Sequence, residues 1–129
     1  MRVYCNAWFA RFARKEGLSS QALWDTIERD EVGLIDAELG GGVIKQRIAR
    51  WGGGKSNGFR SIVFYKHRDR AFFVYGFSKS TRQNIRDDEL EQFKKAAKLV
   101  FSFSDEQIAQ LIEIGQFEEV TKDGQEISK

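Results

Sequence analysis

The hydrophobic period of this chain changes twice, and the changes divide it into zones that no single class of secondary structure can satisfy. Up to Leu39 apolar residues recur about every 3.6 positions; from Val43 to Phe77 they alternate with a period of about 2; beyond Arg86 the helical spacing returns. An α+β fold is expected, with its sheet in the middle of the chain. The first change falls at Gly40-Gly41-Gly42. With no proline among 129 residues, turns must rest on the 12 glycines and on Asn, Asp and Ser.

In the first zone Trp8, Phe9 and Phe12 share a helix face that ends in Arg14, Lys15 and Gly17. Ser19 and Ser20 offer a cap for a second helix, with Leu23, Trp24 and Ile27 inward and Asp25, Glu28, Arg29, Asp30 and Glu31 toward water, stopping at Gly33. The spacing predicts a helical hairpin over about 8–33. The middle zone predicts strands at Val43–Arg50, Phe59–Lys66 and Arg70–Phe77, a sheet over about 43–78 whose short connections imply an antiparallel meander. In the last zone Leu90, Phe93, Ala97 and Val100 follow acidic Asp87, Asp88 and Glu89, and Ser104 with Gln107 forms a capping-box signature before Ile108, Leu111 and Gly115. Further helices are expected over about 87–115. Residues 1–121 read as one domain, large enough to bury a core, and 122–129 as a frayed polar tail.

Charge is distributed unevenly over these zones. Between Lys45 and Arg86 stand eleven Lys and Arg against one Asp, a net +10, while the remaining ten basic and eighteen acidic residues give −8. A basic strip interleaved with aromatics is the footprint of a polyanion partner, most commonly nucleic acid. The lone Cys5 forms no internal disulfide, and no apolar block suits a secretory signal or a membrane span, so a cytoplasmic protein without membrane association is expected.

Several familiar chemistries lack their residues. Gly54-Lys55-Ser56 ends like a phosphate-binding P-loop, but Ala49 stands where the motif needs glycine, and the neighbouring glycines miss the dinucleotide fingerprint at Asn57. One Cys and one His make neither a zinc site nor a Cys/His nucleophile pair, and His67 sits in a charged turn. No metal and no cofactor are expected. Helix carboxylates such as Glu28 and Asp30 read as a wet face.

The basic strip itself can carry chemistry. Lys45 and Arg47 lie two apart on a strand and so share a face, about 6 to 7 Å apart, while Ile44 and Ile48 point the other way. Helices over one face of the sheet and cations over the other would form a platform for a phosphodiester backbone. Arg60 and Lys79 are placed to converge with them, and Arg50, with Lys55 on the glycine-rich loop Gly52–Gly58, extends the strip toward RNA binding. RNA brings its own nucleophile, the 2′-hydroxyl beside the phosphate. The protein need only take its proton, stabilise phosphoryl charge and assist the leaving oxygen. A lysine crowded by like charge gives up its proton more readily, and arginine keeps its charge. Lys45 is therefore the candidate base, Arg47 and Arg60 the transition-state clamps, and Lys79 the proton donor.

The blocks Leu39–Arg47, Gly54-Lys55-Ser56 with Gly58-Phe59-Arg60, and Tyr75–Lys79 with Asn84-Ile85 resemble the HigB-like branch of the RelE/ParE superfamily of bacterial type II toxins. The resemblance spans about residues 3–101. It implies a microbial ribonuclease-like fold, two N-terminal helices on a twisted antiparallel sheet, here with additional C-terminal helices. It further implies a cognate antitoxin, a helix-turn-helix HigA-like protein, and cleavage of messenger RNA in the ribosomal A site. By position it assigns basic active-site roles to Lys45, Arg47, Arg60 and Lys79, and places Arg82 and Asn84 at the RNA. The tyrosine that RelE carries after this cluster is replaced by Ile85-Arg86. Two other functions remain open: a ParE-like inhibitor of DNA gyrase, and a non-catalytic nucleic-acid-binding module.

Overall fold

The computed structural model describes residues 1–50 and 54–122, with backbone alone for Arg50 and for 54–57. The elements run β1 (Arg2–Asn6), α1 (Ala7–Glu16), α2 (Ser20–Glu31), β2 (Ala37–Gly40), β3 (Val43–Arg50), β4 (Gly54–Lys66), β5 (Arg70–Ser78), α3 (Asp87–Phe101), α4 (Asp105–Glu113) and β6 (Phe117–Val120). No helix among the described residues is long and apolar enough to cross a membrane.

Local chemistry explains the helix boundaries. The Asn6 side chain accepts from the Phe9 N–H at 2.8 Å and opens α1, which closes on Gly17 with φ at 71°. Ser19 accepts from Ala22 at the start of α2, and the Ser104–Gln107 capping box opens α4. The turn from β2 to β3 takes positive φ at Gly40, Gly41 and Gly42, a backbone course that side chains resist.

The strands form one sheet in the order β2-β3-β4-β5-β1-β6. The expected meander is there as β3-β4-β5, but β1 lies parallel to β5, so the sheet is mixed rather than antiparallel. Strands β1, β2 and β6 were absent from the sequence expectation. β1 sits between two strands with Val3, Tyr4 and Cys5 all buried, so it shows no alternation, and β2 and β6 have four residues each. β4 also begins at Gly54, within the stretch expected to be loop.

Helices α1 and α2 cover one face, burying Phe9, Leu23 and Ile27 against Ile44, Ile48, Val63 and Phe73. Each such side chain contributes about 1.5 to 3 kcal/mol. The opposite face is not left wholly to cations, as the platform picture required: Ala97, Val100 and Ile108 of α3 and α4 pack there on Val43, Ile62, Phe64 and Phe72. Asp30 is a second correction. Expected on a wet face, it is 1% exposed, and neither carboxylate oxygen has a hydrogen-bond partner among the described residues.

Candidate functional site

The second face of the sheet is covered at one end and open at the other, and β3 records the gradient. Val43 is buried beneath α3, Lys45 is half-buried, and Arg47 is exposed. All three share a face because side chains alternate along the strand. Arg47 and Arg60 are register partners across β3 and β4, and Ile62 pairs with Lys45. The guanidinium groups of Arg47 and Arg60 therefore leave neighbouring strands on the same side, next to Lys45.

The other face anchors this arrangement. Gln46 is fully buried and donates to the Leu34 carbonyl while accepting from the Asp36 N–H, which fixes the loop before β2 against β3. The Asp36 carboxylate accepts from the Arg47 N–H at 2.7 Å, and Arg29 donates to the Arg47 carbonyl. These contacts hold the Arg47 backbone beyond the end of β2 and leave its side chain exposed.

The segment between β5 and α3 closes one side of the open end. Lys45 Nζ lies 3.3 Å from Asn84 Oδ1, which also accepts from the Ile85 N–H. Arg82 donates from Nε to the Asn84 carbonyl at 2.9 Å, to Tyr75 Oη at 3.0 Å, and to the Glu89 carboxylate. Hydrogen bonding to Glu89, then to Tyr75, raises Arg82 above its ordinary pKa and holds Glu89 below the usual carboxylate value. Arg82 thus joins β5, the connecting segment and α3, and its charge is matched by a carboxylate rather than presented bare.

Of the sequence candidates, Lys45, Arg47, Arg60 and Asn84 come together on this face. Lys79 is exposed and, with Arg82, lines a cavity of about 880 Å³ between α1 and the C-terminal end of β5. The side chains of Arg50 and Lys55 lie outside the described residues. Sequence reasoning missed Tyr75 as the acceptor for Arg82, and it missed Arg11 and Lys15, which line the same cavity as Lys79. A signal existed for the last two, because Trp8, Arg11 and Lys15 form a single stripe at helical spacing.

The arrangement can grip an anion from several directions while offering an amine at its edge, which is what in-line attack at a phosphodiester requires. A protein-family model described as the RelE toxin of the RelE / RelB toxin-antitoxin system matches residues 1–120. None of the curated proteins matches the chain.

Proposed function

We propose that this chain, which belongs to the RelE toxin family, is a ribosome-dependent endoribonuclease that cuts messenger RNA in the ribosomal A site by attack of the 2′-hydroxyl on the adjacent phosphate. The observation that carries the reading is the pairing of Arg47 with Arg60 across two strands, with Lys45 on the same face. An inhibitor that only docks on a protein target has no need of cations converging on one point.

In the mechanism Lys45 accepts the 2′-hydroxyl proton, and Asn84 holds its amine by the 3.3 Å contact. Arg47 and Arg60 donate to the non-bridging oxygens as negative charge builds on the phosphoryl group. Lys79 supplies a proton to the leaving 5′-oxygen, and Arg82 keeps Asn84 and the start of α3 in place through its bond to Glu89. The products are a 2′,3′-cyclic phosphate and a 5′-hydroxyl. A HigA-like helix-turn-helix antitoxin is the proposed cognate partner.

Induced expression in bacteria, with message ends and plasmid supercoiling followed together, tests the reading. Growth arrest with new message ends from wild type, lost in Lys45→Ala, Arg60→Ala and Lys79→Ala, supports it. Arrest with altered supercoiling and intact messages would instead assign the chain to gyrase inhibition.

A further inference from the structure

Apart from Lys79 and Arg82, the residues that line the cavity at the end of β5 have no part in the cleavage chemistry. Arg11 and Lys15 reach it from α1 and Lys79 from the turn after β5, against one lining carboxylate, Glu16, among the described residues. One wall is aromatic. Trp8, 40% exposed, stacks on Phe12 at 5.4 Å and 14° and on Tyr75 at 4.7 Å and 30°. Three further lining hydroxyls cluster there, Ser78 Oγ lying 3.0 Å from both Ser80 Oγ and Thr81 Oγ1.

Rings beside cations and hydroxyls are the chemistry of single-stranded nucleic acid, whose bases all present a π-face and whose phosphates take Lys and Arg. A volume near 880 Å³ accommodates a nucleotide. A chain of hydrogen bonds links the cavity lining to the cations over β3 and β4: Tyr75 accepts from Arg82, Arg82 donates to the Asn84 carbonyl, and Asn84 accepts from Lys45.

We infer that this cavity is a subsite for single-stranded RNA, holding a nucleotide that flanks the scissile phosphate, with its base against the aromatic wall and its phosphates on Arg11 and Lys15. The inference rests on the ribonuclease reading for the identity of the strand, but its test does not need cleavage.

The probe is a short single-stranded 2′-O-methyl RNA, which lacks the attacking hydroxyl, titrated against the full chain across a range of salt concentrations. A second form of the probe carries 4-thiouridine for cross-linking. Arg11→Gln with Lys15→Gln should weaken binding and flatten the plot of log affinity against log salt by about 1.4, about 0.7 for each phosphate that the variant no longer neutralises. Lys95→Gln with Lys98→Gln, the same charge change on exposed residues of α3, should keep the wild-type slope. Cross-links should map to the Trp8–Glu16 stretch. Equal slopes in the two double variants, or cross-links confined to β3 and β4, overturn the subsite.

The two readings fail separately. Binding as predicted, with messages on ribosomes left intact, retains the subsite and removes the ribonuclease. Wild-type KM and salt slope in the Arg11 and Lys15 double variant, with messages still cut, does the reverse.

Discussion

Lys45 Nζ and Asn84 Oδ1 lie 3.3 Å apart, so a β3 amine is held by the segment that leads from β5 into α3. The Ile85 N–H bonds the same oxygen at 2.9 Å and fixes which way the amide points. Lys45→Ala should lower the single-turnover cleavage rate by about 10²- to 10⁴-fold, the range for loss of a general base. Asn84→Ala removes the hydrogen bonds to the Lys45 amine and to the Ile85 N–H, and its loss of hold on Lys45 should cost up to about tenfold in rate. In the double variant the loss should equal that of Lys45→Ala alone, since Asn84 acts through Lys45; a fully additive loss would assign Asn84 a separate role.

Arg82 uses three different nitrogens on three partners: Nε on the Asn84 carbonyl, and the two terminal nitrogens on Tyr75 and Glu89. Lysine cannot reproduce that fork. Arg82→Lys should therefore lower the melting temperature nearly as far as Arg82→Ala. Combining Arg82→Ala with Glu89→Ala should give less than the sum of the single effects. Additive shifts in thermal unfolding would mean the ion pair does not couple the two residues.

Burial pushes the Asp30 carboxyl up from 3.8 to about 7, with Asp36 and Glu31 adding to the shift and Arg29 opposing it. At acid pH the group is neutral both folded and unfolded. As pH rises from about 4 to about 7 only the unfolded chain ionises it, so stability falls through that window and levels off above, by at most about 4 kcal/mol. Asp30→Asn should remove this component and leave the protein more stable than wild type at pH 8. Denaturant titrations of both proteins across the window check the sign; parallel curves would contradict it.

Gly76 faces Phe12 so closely that a Cβ there would lie 2.5 Å from the ring. The ring has little room to yield, because it stacks on Trp8 and packs edge-on against Phe59. Gly76→Ala should cost about 1 to 3 kcal/mol and displace α1 from the end of β5. Chemical denaturation measures the loss. Weaker 2′-O-methyl RNA binding should accompany it, because the same displacement opens the cavity.

The legibility of the fold in the sequence followed the range of the forces involved. Caps at Ser19 and Ser104 act within three residues, and α4 with its capping box appears where the spacing placed it. β3 was readable because Ile44 and Ile48 alternate with polar residues, and β5, apolar on both faces, from its run of Phe, Val and Tyr. β1 was not, because its environment is set by strands more than sixty residues away: Arg2 pairs with Arg70, and Val3 with Val120. In the site, two-residue spacing put Lys45 and Arg47 on a common face, whereas the pairing of Arg47 with Arg60 needed the register of two strands. The Arg82–Glu89 bond carries no periodic signature, whereas Asp30, three residues after Ile27 and seven after Leu23, falls on the buried stripe of α2, and only its charge argued for a wet face.

The most direct measurement is single-turnover cleavage of a ribosome-bound message by wild type and by Arg60→Ala, with the product ends identified. The paired-arginine clamp predicts 2′,3′-cyclic phosphate ends from wild type and a rate lower by about 10²- to 10³-fold in the variant. An undiminished rate in Arg60→Ala, or wild-type products ending in a free 3′-hydroxyl, would contradict it.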